Sequence, residues 1–426
     1  ECTGKMDCDG TLTMTVGSGV LDVNGEFEVS SSSGGHKNKG TIYVAGDFDA
    51  STANNTDFGP YGTHSTVLDG SNQNINLISS GTPVYFNDLT SDASGTVTLL
   101  ANNLSVTNDF EVTDGTFEMS NLNMDINGDF TVNTGGTFNS GTGSHTVAGN
   151  WNCSNGTFNS STGEITLDGA NKTLNPGSNS FNNVIINDNS QSALTAGTSL
   201  DVNGFLKIYS GATLDITLGD NLNLGGDFEI YGTFSSSDET LTMDGTSAQS
   251  LFHPTNANST GFTSSNVNVV IANTGGTVTL NKDLSINNFT INSGATFALS
   301  ANLSSAGNWS DGGTLTANTS TVTFNGSGAQ SITSGGSVFY NLRNSNTSNI
   351  VSIADKLEIN SSGTLTIDGS ATLALAGYEF DDNGCTISNS GTFQMHGDET
   401  LTSGSLSISG NTKIVDGSGA TLTTGL

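Results

Sequence analysis

Arginine is almost missing from this chain of 426 residues: Arg343 is the single copy, and lysine and arginine together number nine against 40 aspartates and glutamates. A formal charge of -31 repels phosphate backbones and anionic lipid surfaces, which excludes nucleic acid and membrane surfaces as expected partners. Charged residues of all kinds make up only 12%, about half the ~25% of an average globular protein, and there are four prolines. Disordered chains of low hydrophobicity usually carry many charges and much proline, so that class does not fit. No apolar run approaches the ~18–20 residues of a spanning helix, so direct membrane insertion is not expected. Nor does any window hold a 3.6-residue period. With 55 glycines and abundant Asn, Ser and Thr, a helical bundle is excluded.

What is present is a repeat. With Φ for an aliphatic residue, the unit Φ-x-Φ-x-G-D-F-x-Φ, often followed by G-T-F-x-Φ, runs along the chain. It reads LDVNGEFEV at 21–29, IYVAGDF at 42–48, LSVTNDFEVTDGTFEM at 104–119, MDINGDFTVNTGGTF at 124–138 and LNLGGDFEIYGTF at 222–234. Trp151 and Trp309 take the aromatic position after Gly-Asn. Phe27 to Phe48 is 21 residues, Phe110 to Phe130 is 20, and Phe130 to Trp151 is 21. Apolar and polar residues alternate within each unit, the sign of strands with one buried face. Gly, Asn and Asp break each strand where the chain must turn. The reading is all-β: a right-handed parallel β-solenoid (β-helix) of about twenty coils of 20–22 residues. Phe27, Phe48, Phe110, Phe130, Trp151, Phe228 and Trp309 are expected to form its core aromatic ladder.

A slower period overlies the coil. TVLDG at 66–70, EITLDG at 164–169, TLTMDG at 240–245 and TVTFNG at 321–326 recur every 76–100 residues or so. Each is followed by a less regular stretch, so loop insertions are expected near 71–90, 170–187, 246–271 and 327–342. Residues 1–20 read as an N-terminal segment with a first strand at Thr11–Val16, and 21–426 as one continuous solenoid.

In these features the chain resembles the Gly/Asn/Ser/Thr-rich β-solenoid repeat regions of secreted bacterial surface proteins, of the adhesin, autotransporter-passenger or extracellular-filament type. The similarity spans nearly everything from Leu21 to Leu422. It implies an extracellular or cell-surface scaffold without catalysis, and it carries over no individual site residue, because the shared positions are core and turn. The chain opens ECTGKMDCDG, without initiator Met or apolar leader, and so reads as a mature or trimmed protein. The expected role is a subunit that stacks end to end into a filament, with itself as partner in a head-to-tail homopolymer. The alternative is an adhesin stalk, or a β-helix protein that binds or degrades surface glycans.

Chemistry-bearing residues are few. Cys2 and Cys8 are close enough in sequence to be a candidate disulfide, with two thiols the alternative. Cys153 and Cys385 take apolar positions of the repeat and are expected to point into the core. Asp47, Asp129 and Asp227 hold one place in G-D-F, and stacked carboxylates there are the candidate calcium ligands. Asn150 and Asn308 replace them elsewhere, which suits a turn-forming role better, so no cofactor is expected. His36, His64, His145, His253 and His396 show no metal-ligand spacing. The acidic pairs Asp238-Glu239, Asp381-Asp382 and Asp398-Glu399 read as solvated turns, since a hydrolase needs two carboxylates across a cleft. Thr-x-Thr triplets fall at different places in the coil and so predict no flat hydroxyl array. Sequons such as Asn103, Asn155, Asn171 and Asn318 are what so much Asn, Ser and Thr produces by chance.

Overall fold

The computed structural model describes residues 1–30, 37–78, 81–188, 193–196, 198–216, 221–252, 266–396, 399–402 and 411–414. They form short strands without a helix, arranged as a parallel β-solenoid of about 17 turns, close to the twenty expected. The chain divides into two compact units, Glu1–Leu218 and Gly219–Leu426.

In the first unit each full coil lays strands on three faces. One face stacks Leu104–Val106, Met124–Ile126, Ser144–Val147, Glu164–Leu167, Asn183–Ile186 and Leu206–Ile208 in parallel register. A second runs from Val20–Val23 through Lys39–Val44 and Thr63–Leu68 to Phe130–Val132, Trp151–Asn152 and Thr173–Asn175. The third carries Phe27–Val29, Phe48–Ala50 and Gln73–Leu77, and later Gly136–Asn139 and Thr157–Asn159. Long strands, Asp88–Ala101 and Phe110–Glu118, bend across the corner between the last two faces. Every second residue points inward and is buried, as in the pattern of Phe130–Val132. Strands of each coil pair with those of the coils above and below, so stability accrues coil by coil.

The second unit repeats the arrangement. Leu222–Leu224, Thr240–Met243, Asn268–Ile271, Phe289–Ile291, Trp309–Asp311 and Gln330–Thr333 share one face. Phe228–Ile230, Gln249–Leu251, Thr277–Leu280, Thr296–Leu299 and Thr314–Thr316 share another. Leu284–Ile286, Leu303–Ser305, Thr321–Phe324, Val338–Asn344 and Leu357–Ile367 make the third.

The seven aromatic residues expected to form the ladder are all buried, at most 1% exposed, but they do not form one ladder. Phe27 pairs with Phe48, which pairs with Ile75 on the third face of the first unit. Phe110, Phe130 and Trp151 stack on the second face, with ring centroids 5.4 and 4.6 Å apart. In the second unit Phe228 pairs with Leu251, whereas Phe289 and Trp309 stack 4.5 Å apart on a different face. The cause is the slower repeat. The strands between one G-D-F and the next across TVLDG or TLTMDG do not complete whole coils, so the motif reappears one face away.

The expected loop insertions hold strands as well as irregular chain. Gln73–Leu77, Thr173–Asn175, Gln249–Leu251, and Gln330–Thr333 with Val338–Asn344 lie inside them and join the ladders; 253–265 falls outside the described residues. Irregular chain remains within them at 81–85 and 176–180, and a further irregular segment, 51–62, buries Ala53 and Phe58. Phe58 reaches Phe48 at 5.3 Å and Phe27 at 6.2 Å, standing in for a missing wall. Lys37, only 1% exposed, pins this segment: its ammonium donates to Asp57 O at 3.1 Å and lies 5.3 Å over the Phe58 ring. Burial pushes its pKa down. At the N-terminus the first strand is Met6–Cys8, paired with Phe27–Val29, and not Thr11–Val16, where Met14 alone bridges to Lys37.

Candidate functional site

The corners between strands concentrate the polar chemistry. Asp47 Oδ1 accepts the backbone N–H of Asn74 at 2.7 Å, and both its oxygens accept from the Asn74 carboxamide at 3.2–3.3 Å. Asp129 does the same to Asn150, at 2.8 Å for the backbone and 3.0–3.1 Å for the side chain. Asp227 Oδ1 accepts from Ser250 N at 2.6 Å. The amide oxygens of Asn150 and Asn308 take Thr173 N and Ser331 N, each at 2.9 Å. In every case an oxygen on one coil brackets a backbone donor on the next, and carboxylate and carboxamide serve alike. That is the physical reason Asn and Asp interchange here. The neighbours that the stack brings to the three aspartates are thus Asn74, Asn150 and Ser250. Among the described residues no three His, Cys, Asp or Glu gather closely enough to hold a metal.

Between outward-facing side chains run shallow polar furrows. One, of about 300 Å³, follows Asp129, Thr131, Asn150, Asn152, Thr173 and Asn175. Another, of about 370 Å³, is lined by Thr321, Asn341, Arg343, Thr364, Thr366 and Asp368, with Arg343 held to Asp368 at 2.8–2.9 Å. These walls offer hydroxyls and amides spaced by the coil, the chemistry that meets the hydroxyls of a glycan.

Other residues settle elsewhere. All four cysteines are thiols. Cys2 bridges to Val23 and Cys8 pairs with Val29, so each is laid along a different strand of the coil beneath, on either side of a corner. Their sulfurs donate to Gly4 O and Gly10 O instead of meeting. Cys153 is in the core, and burial raises its pKa. Cys385 is only half-buried, a correction, because it precedes the strand Thr386–Asn389. His64 and His145 are fully buried. His145 Nε2 lies 3.0 Å from Ser140 O, and burial lowers its pKa to about 4. His36, His253 and Asp398 lie outside the described residues. Glu239 is a turn cap: burial opposes its charge, but the amides of Asp238 and Ser237 and the Ser236 hydroxyl hold its pKa down at about 2. Asp382 likewise caps Gly384 N at 2.9 Å. The Thr-x-Thr triplets share faces in part, contrary to expectation: Thr277, Thr296 and Thr314 form one column, beside Thr279, Ala298 and Thr316.

The residues that sequence reasoning passed over are three glutamines. Gln330 Nε2 donates to Ser305 O at 2.9 Å and Gly307 O at 2.6 Å, while its Oε1 accepts from Gly326 N at 2.9 Å and Asn346 Nδ2 at 3.0 Å. Gln249 repeats this with Leu224 O, Gly226 O, Gly245 N and Asn273. Gln73 repeats it with Val44 O, Gly46 O and Gly70 N. Each is at most 3% exposed and locks a corner from inside. The glycine is required by close approach, since a Cβ on Gly326 would sit 2.1 Å from Ala306 O. The available signal was a Gln three or four residues after D-G or N-G, two before the apolar residue of the next strand.

No protein-family model, no curated protein and no solved structure matches the chain.

Proposed function

We propose that this chain is a non-catalytic structural protein of the extracellular bacterial surface, a β-solenoid of the adhesin and filament type whose copies stack end to end. The observation that carries the reading is the strand Met6–Cys8. Its inner edge is paired: Met6 N donates to Glu26 O at 2.8 Å, and the register to Phe27–Val29 is regular. On its outer edge no strand among the described residues pairs with it. Alternation turns the N–H of Asp7 outward, and such an edge accepts a further parallel strand; in this reading a second copy supplies it, a heterologous contact that propagates. The segment 415–426 lies outside the described residues.

Light scattering after size exclusion, with electron microscopy, tests this. Growth of fibres with concentration, abolished by Asp7→Pro while circular dichroism is unchanged, supports stacking. A stable monomer at high concentration overturns the filament and leaves the adhesin stalk. A second reading, a glycan-binding β-helix protein, draws on the furrow along Asp129–Asn175; a glycan-array signal lost in Thr131→Val with Asn152→Leu would favour it.

A further inference from the structure

We propose that Asn155 is a site of spontaneous deamidation, the one Asn-Gly corner of this solenoid that the fold leaves chemically open. The chain holds six Asn-Gly pairs, at Asn24, Asn127, Asn155, Asn203, Asn325 and Asn383. In such a pair the backbone nitrogen of glycine, on losing its proton to solvent base, attacks Cγ of the asparagine. The Cγ–Nδ2 bond breaks, ammonia leaves, and a five-membered succinimide forms. Water then opens the ring at either carbonyl, giving aspartate or isoaspartate. No oxidant or further reactant is needed.

The attack requires a loose nucleophile and a loose carboxamide, and the fold withholds one or both at five pairs. Gly128 N donates to Asn108 O at 2.9 Å, and Gly204 N to Asn182 O at 2.7 Å. Gly326 N is held by Gln330 Oε1 at 2.9 Å, and Gly384 N by Asp382 Oδ1 at 2.9 Å. At Asn24 the carboxamide is tied to Glu1 Oε1 at 3.1 Å. Asn155 is exposed, and among the described residues neither its carboxamide nor Gly156 N has a hydrogen-bond partner in the protein. The reactive pairing is also enforced by packing: a Cβ on Gly156 would stand 2.4 Å from Val132 Cγ1, so the fold requires the glycine there. Isoaspartate would lengthen the backbone in a corner gripped by Asn179, whose Nδ2 donates to Cys153 O at 2.9 Å and Gly156 O at 3.2 Å. Strand Thr157–Asn159 is therefore the place where damage should be felt.

Incubation of the intact protein at mildly alkaline pH, followed by peptide mapping with mass spectrometry, tests the proposal. Having to break one hydrogen bond to the glycine N–H slows attack by up to about tenfold, so Asn155 should convert about tenfold faster than Asn127, Asn203, Asn325 or Asn383. In urea the six pairs should converge, because the discrimination comes from the fold. Asn155→Gln, whose ring closure is disfavoured, should remove the dominant acidic species. Equal conversion of Asn155 and Asn127 in the folded protein, or dominance of another pair, overturns the assignment.

Discussion

Three corners of the slower repeat carry a buried glutamine, and one does not. After EITLDG the place two residues before Leu174, where Gln73, Gln249 and Gln330 stand before Ile75, Leu251 and Ile332, is taken by the half-buried Lys172. The coil still closes there: Trp151 pairs with Leu174, and Asn150 Oδ1 still brackets Thr173 N at 2.9 Å. The outer bracket and the stacked core are thus enough to form a corner, and the inner glutamine is an added lock. Coils of this kind are stabilised by redundant small devices, so losing one is local in effect.

The comparison can be broken from the stronger side first. Gln330→Ala strands Ser305 O, Gly307 O and Gly326 N inside the corner, which should cost about 3 kcal/mol at that coil. Because repeat arrays do not melt in one step, amide hydrogen exchange over 305–346 is the measurement that reads it.

Acid should weaken the corner that already lacks its lock. His145 pairs with Ile165, on the strand leading into Lys172. Its folded pKa of about 4 lies below the ordinary value of 6.5, so the unfolded chain takes up the proton first as pH falls. The stability contributed by neutral His145 is present above pH 6.5 and is lost down to about 4, at up to about 1.4 kcal/mol per pH unit. His145→Leu should flatten that dependence in exchange measured over 124–175, while the Gln330 coil shows none of it.

The outer bracket can be separated from the inner lock at Asp129. Asp129→Ala should cost about 1 kcal/mol by stranding Asn150 N, whereas Asp129→Asn should stay within about 0.5 kcal/mol, since an amide oxygen accepts as well. Equal losses in amide exchange over 124–153 would contradict the bracket. The last effect is a gain of the same size as the Asp129→Ala loss: Lys172→Gln should add about 1 kcal/mol by supplying the missing contacts to Val147 O, Gly149 O and Gly169 N. Unchanged exchange at 164–175 would show that the lysine corner has a geometry of its own.

Much of this was legible beforehand, for a local reason. Alternation of apolar and polar residues, and glycine or asparagine at each break, are properties of a few consecutive residues. They were enough to determine parallel strands, inward Phe130 and Trp151, and coils of about twenty residues. The interchange of Asp129 with Asn150 and Asn308 likewise pointed to a turn role, which the bracket explains. What only the tertiary structure decided depends on accumulated length. Which face a motif reaches is set by the sum of all strands and corners before it, so Phe48 and Phe110 carry one motif on different faces. The buried glutamines, the pinning of Phe58 by Lys37 and the isolation of Asn155 are decisions of the same kind. Each depends on carbonyls, rings or amides supplied by a neighbouring coil some twenty residues away, and that proximity comes into being only when the coils stack.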